Sequence, residues 1–292
     1  MKIIDAHLHF SRIESFNKTA RDISIVDYSA SGLIKEFEEN NIIAGIGMGL
    51  TEEMSGGFPD TSSPNPMKLD IGDKLPNNLA YCIGVNPVRL LGKSKELELE
   101  NIEAELKGDA IGIKIYAGYY QYYVYDTVYD PVYALAEKYN VPVTIHSGDT
   151  YSDRGILKYS HPLTVDELAV KYRGVKFIIA HLGDPWVMDT AEIIRKNPNV
   201  FTDLSGLIIG DSTEIERMKQ KQLFIDHIKR SLVYADNYYK VLFGSDWPLV
   251  QLKPYIEFIK EIIPEEFHEY VFYKNALSVF NRLNRMKTQK DI

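Results

Sequence analysis

The chain has one cysteine in 292 residues, Cys82, inside the apolar stretch LAYCIGV. An intrachain disulfide is excluded, and a small buried core residue is the simplest reading of that thiol. Positive charge is not in excess either. The 33 Lys and Arg stand against 41 Asp and Glu, for a net charge of −8, which gives no support to a nucleic-acid or anionic-membrane partner. No apolar run approaches the ~18 residues of a membrane span. The opening MKII is broken by Asp5 and His7, unlike a signal peptide. A cytoplasmic location is the expectation. No linker-like stretch divides the sequence, so a single domain over residues 1–292 is expected.

What is present is a regular alternation. Eight segments read as buried strands: 2–10, 42–50, 79–87, 110–118, 141–148, 175–183, 200–206 and 241–248. Each is rich in Val, Ile, Leu or Phe without clean alternation, which suits a parallel sheet covered by helices. Helical patterns lie between them, at 31–40, 95–107, 128–139, 164–172, 185–196, 212–235, 253–262 and 265–283. Eight such units predict an α/β protein, a (β/α)8 barrel. Three connections are long, 11–30, 51–78 and 118–130. All three leave the C-terminal ends of strands, the barrel face where active sites sit.

Four of the seven histidines fall near those ends. His7 and His9 share strand one in DAHLHF, and residues two apart on a strand point to one face. His146 stands in VTIHSG, His181 in IIAHLG, and Asp246 in FGSDWP at the end of strand eight. Any one of these residues, taken alone, reads as a hydrogen-bonded structural group. Five ionisable groups aimed at one barrel mouth are costly to bury unpaired, and a divalent cation satisfies several at once.

As a set, His-X-His on strand one, His at the ends of strands five and six, and Asp at the end of strand eight resemble the amidohydrolase superfamily. The phrases VTIHSGDT, IIAHLGDPW and LFGSDWP are similar to its "amidohydrolase 2" branch, over residues 2 to about 281. The resemblance implies a distorted barrel and a metal-dependent reaction. It implies His7, His9, His146 and Asp246 as ligands of one divalent ion, most often zinc, with His181 as a catalytic group beside it. Asp246, next to the activated water, is placed to shuttle a proton. Lys114, in IGIKIY with Tyr116 on the same strand face, brings in an alternative. Some superfamily members carry a carboxylated lysine on strand four that bridges two metals.

The substrate is a small molecule on this reading, and its identity is weakly marked. Tyr119, Tyr120, Tyr122, Tyr123, Tyr125 and Tyr129 crowd the third long loop. That suits a ligand wall, a homodimer interface or a loop packed on its own barrel. Arg12, Arg89 and Arg154 follow strands one, three and five, where a carboxylate clamp or an ordinary surface charge is expected. Ser147, Asp149 and Asp184 follow ligand-bearing strands and are placed to line the mouth. His161, His227 and His268 receive no site role. Three functions follow in order: hydrolysis of an amide, lactone or ester by a metal-activated water; non-oxidative decarboxylation of an aromatic or unsaturated acid; and a non-enzymatic metal-binding protein on this scaffold.

Overall fold

The computed structural model describes residues 1–11, 13–50 and 77–283. Eight parallel strands follow one another in a sheet of order β1 to β8: β1 (Ile3–Leu8), β2 (Ile42–Met48), β3 (Leu79–Val85), β4 (Gly112–Ile115), β5 (Val143–Ile145), β6 (Phe177–Ile179), β7 (Val200–Asp203) and β8 (Val241–Leu242). The sheet closes through the segment after β8. Ala6 N–H donates to the Phe243 carbonyl at 2.9 Å, and His9 N–H to the Trp247 carbonyl at 2.7 Å. The fold is a TIM barrel, as the alternation predicts.

Helices fill the connections: α1 (Glu14–Thr19), α2 (Ala30–Asn40), α3 (Lys95–Lys107), α4 (Asp130–Tyr139), α5 (Leu157–Ser160), α6 (Thr164–Lys171), α7 (Val187–Lys196), α8 (Ser212–Lys219), α9 (Gln222–Ala235), α10 (Leu252–Ile262) and α11 (Asn275–Val279). Their faces follow the helical period. In α10, Leu252, Tyr255, Ile256, Phe258, Ile259 and Ile262 are buried. Three βα units turn cleanly because Asn41, Asn140 and Asp236 adopt the left-handed conformation at helix ends, which these side chains tolerate.

The sequence reading needs four corrections. The expected helix 212–235 is two helices, broken at Gln220 and Lys221, so that α8 packs on α10 while α9 packs on α7. The closing helix is shorter. A 3-10 turn at Glu265–Phe267 and a wide turn at Tyr270–Lys274 precede α11. The first long loop contains α1 and a second wide turn, Ala20–Ser24. Strands four to eight are all shorter than read, and after strands five, six and eight the backbone leaves the ladder to turn polar side chains into the barrel. The second long loop and Arg12 lie mostly or wholly outside the described residues.

Candidate active site

The register between β1 and β2 shifts between Asp5 and Leu8. Below the shift, Ile4 and Ala6 join an apolar cluster with Cys82 and Phe280. Above it, Leu8 and Phe10 pack outward with Leu33 and Phe37 of α2. His7 and His9 are thereby left in the barrel mouth, 0% and 5% exposed, with ring centroids 5.3 Å apart.

The segment after β8 brings Asp246 to them. The N–H groups of Ser245 and Asp246 both donate to the His7 carbonyl, at 3.1 and 2.8 Å. Two residues oppose one, as in a bulge, and Asp246 takes φ +66. Its Oδ1 lies 3.0 Å from His9 Nε2 and 3.5 Å from His7 Nε2. That oxygen and His9 Nδ1 are buried without an aligned hydrogen-bond partner. Bonds of 2.0–2.1 Å to a tetrahedral ion put neighbouring donors about 3.3 Å apart, and the observed separations bracket that value. This donor set fits a divalent cation.

Asp203, at the end of β7, holds the arrangement in place. Its Oδ2 accepts from His7 Nδ1 at 2.8 Å, which leaves the lone pair on Nε2, toward Asp246. Its Oδ1 accepts from the N–H groups of His181 and Ser205, at 3.0 and 3.1 Å. Burial opposes the charge on Asp203, but His7 and His181 outweigh it and hold the carboxyl well below the usual range. Asp246 is likewise held ionised against burial, by His181, His9 and His7. One level down, Asp5 is fully buried and accepts from the Ser245 hydroxyl and N–H. Burial raises it to about 7. None of Asp5, Asp203 and Ser205 was given a site role from sequence. A carboxylate within a buried apolar strand, as in VFTDLSG, was the available signal.

His181 does not end a strand. It sits in a left-handed turn, with φ +60, and Leu182 and Gly183 also have positive φ. The turn points its ring into the mouth, 4.8 Å from His7 and 5.0 Å from His146 between centroids. Its Nδ1 lies 3.1 Å from the Ser205 carbonyl, which only a protonated Nδ1 can satisfy, so the lone pair is on Nε2. Burial lowers its pKa to about 4, keeping the ring neutral. Gly206 makes room here. A Cβ at that position, already at φ +66, would sit 2.8 Å from His181 Nδ1 and 3.0 Å from Asp246 Oδ2.

His146 lies outside the group of mutually close donor atoms formed by His7, His9 and Asp246. Its Nε2 is 3.0 Å from the Asp149 carbonyl, which leaves Nδ1 as the lone-pair nitrogen. Lys114 is fully buried with Nζ 3.3 Å from His7 Nε2, and burial lowers its pKa to about 8. Tyr116 lies beside it, its hydroxyl 3.3 Å from the Met48 carbonyl. Arg89 is not among the residues lining the mouth. It lies in the turn Pro87–Leu90, 3.9 Å from Glu98.

Above these groups is a cavity of about 320 Å³. His9, His146, His181 and Asp246 line it, with Tyr116, Tyr119, Phe16 and Tyr151. The Tyr151 N–H donates to the Tyr119 hydroxyl at 2.8 Å, and the Tyr151 hydroxyl bonds to Thr19 of α1, so the connections after β1, β4 and β5 are tied together beside the cavity. Among the described residues no helix is long and apolar enough to cross a membrane.

Among solved structures, an uncharacterised TIM-barrel protein from Bordetella bronchiseptica superposes with a TM-score of 0.73 at 16% identity, covering 98% of this chain and 100% of its own. A probable 2-pyrone-4,6-dicarboxylic acid hydrolase from Acinetobacter baumannii, with citric acid bound, gives 0.62 at 16% identity, covering 96% and 100%. A 5-carboxyvanillate decarboxylase from Novosphingobium aromaticivorans, complexed with manganese and a nitrobenzoic acid, gives 0.62 at 14% identity, covering 96% of each chain. At these identities the likeness is one of fold. No curated protein matches the sequence. A family model described as Amidohydrolase matches residues 4–282, nearly the whole chain, and the chain belongs to that family.

Proposed function

We propose that the chain is a metal-dependent hydrolase of a small-molecule amide, lactone or ester. The observation that carries this reading is that Asp246 Oδ1 lies 3.0 Å from His9 Nε2 and 3.5 Å from His7 Nε2, in a buried pocket beside a cavity. These three would hold one divalent ion, zinc by the chemistry of the donors, and His146 would add its free Nδ1. Such an ion supplies Lewis acidity, lowering the pKa of water and polarising a carbonyl.

The chain's own residues do the rest. Asp203 fixes the His7 tautomer and anchors the backbone of His181 and Ser205. His181 lines the cavity, neutral and with its lone pair on Nε2, and accepts a proton from the attacking water. Asp246, ionised at rest, would take the second proton of that water from the hydrated carbonyl and hand it to the leaving group as its bond breaks. The tyrosines and Phe16 limit bulk water around the reacting carbonyl.

Decarboxylation is the second reading, favoured by the fold shared with a manganese-bound decarboxylase. Loading the protein with zinc or manganese and screening paired panels separates the two. Acid release from neutral amides, lactones and esters, abolished by a chelator, is the expected result. Carbon dioxide release from aromatic acids without any hydrolysis would overturn the hydrolase reading.

A further inference from the structure

Two residues of the site's own sequence phrases, Asp5 in DAHLHF and Ser245 in FGSDWP, have no part in the chemistry described above. Both are fully buried. A carboxylate is costly to bury, and the barrel seam here is already joined by the backbone hydrogen bonds from Ala6 to Phe243 and from His9 to Trp247. The Asp5 side chain spans that seam a second time. Its Oδ1 accepts from the His7 N–H at 3.2 Å and from the Ser245 N–H at 3.0 Å, and its Oδ2 accepts from the Ser245 hydroxyl at 2.5 Å. The Ser245 oxygen in turn accepts from the Trp247 N–H at 2.9 Å. The N–H groups on both sides of Asp246 are therefore drawn to one buried carboxylate–hydroxyl pair, while the N–H of Asp246 itself goes to the His7 carbonyl at 2.8 Å. Asp246 is left at φ +66, a conformation that a non-glycine residue keeps only where its surroundings impose it.

We propose that Asp5 and Ser245 are positioning residues for the metal centre. The pair fixes the main chain of His7 against that of Asp246, and so sets the separation of a ligating nitrogen from a ligating oxygen. This rests on the metal centre proposed above and holds for either reaction there. The physical reason is that one carboxylate grips the backbone beside two donors that come from opposite ends of the sequence. Asp203 acts differently, since it holds the His7 ring through Nδ1. Without the Asp5–Ser245 link both ligands keep their chemistry, but the turn at Asp246 is free to relax, and a donor displaced from its geometry binds an ion less well.

The test measures zinc affinity of the full chain by competition with a chelating dye, beside its melting temperature. Ser245→Ala deletes only the hydroxyl and should weaken zinc binding by roughly tenfold, as loss of an outer partner of a metal ligand does. Asp5→Asn should weaken it at least as much. The two losses should not add in the double variant, because both interrupt one linkage. Ser231→Ala is the structural control. It removes an equally buried hydroxyl, bonded to the Ile228 carbonyl at 2.8 Å within α9, and should lower the melting temperature without changing affinity. With cobalt(II) as the probe, Ser245→Ala should also alter the visible absorption, which reports ligand geometry. If Asp5→Asn does not fold, Ser245→Ala decides alone. An affinity and a cobalt spectrum unchanged in the folded variants, or a loss no greater than in Ser231→Ala, would overturn the proposal and leave the metal centre standing. Fully additive losses would overturn it too, by showing two independent effects. Wild-type protein that binds neither zinc nor cobalt would remove the metal centre and the proposal together.

Discussion

At the lower end of the barrel, Ile4, Ala6, Cys82 and Leu242 pack on Val279 and Phe280 of the closing segment, and every one of them is buried hydrocarbon or thiol. At the upper end, on β1 and just past its end, His7 and His9 meet Asp246, with Asp203 and Lys114 at hydrogen-bond distance of His7. The lower end repays its burial directly, at roughly 25 cal/mol per Å² of apolar surface. The upper end buries charges, each costly unless paired, and recovers that cost only through a connected network. One chain segment therefore packs hydrocarbon at its start and gathers ionisable groups at its finish, and the register shift after Asp5 is where it changes over.

That contrast can be broken by substitution. Phe280→Ala, at the apolar floor, should destabilise the chain by about 3–5 kcal/mol. Its metal content and its kcat per folded molecule should stay unchanged. Denaturant unfolding and active-site titration check both halves, and a large loss of kcat in the folded fraction would show that the two ends are not separable. Asp203→Asn, at the polar end, should lower metal affinity by 10–100-fold, as loss of a carboxylate behind a ligating histidine does. Competition with a chelating dye measures it. An unchanged affinity would mean that the His7–Asp203 hydrogen bond does not position the ring.

The smallest effect is expected far from both ends. Glu103 of α3 is held at about 2 by its hydrogen bonds to Lys138, Tyr139 and Lys107. A depressed carboxylate contributes stability above its unfolded pKa, and that contribution is lost as pH falls through the folded value. Glu103→Gln should therefore lower stability slightly at pH 7, with the difference from wild type shrinking from about pH 4.5 downward. Paired melting curves across that window show it, and a difference constant with pH would contradict the assignment.

Much of this was legible in the order of residues. Parallel strands buried on both faces write themselves as continuous apolar runs, so all eight could be located. Histidines and an aspartate interrupting such runs stand out, which is why His7, His9, His146, His181 and Asp246 could be singled out. Their local backbone could not. The left-handed turn at His181 and the positive φ of Asp246 depend on contacts with β7 and β1, far away in sequence. Asp203 was missed for the same reason, because its role exists only once His7 is folded against it. Arg89 shows the converse. An arginine after a strand end suggests an anion clamp, but here the chain folds it toward Glu98. The break between α8 and α9 has neither Gly nor Pro to announce it and is set by packing on two different neighbours.

The most direct measurement is elemental analysis of protein purified without chelators, beside Asp246→Asn prepared in parallel. About one divalent ion per chain in the first and a marked loss in the second is the expected result, since Asp246 supplies the carboxylate in a shell that is otherwise imidazole. Two firmly held ions would point to Lys114 as a bridge instead. Protein that holds no ion and takes up none on reconstitution, or a variant that binds as well as wild type, would contradict a metal centre built on His7, His9 and Asp246.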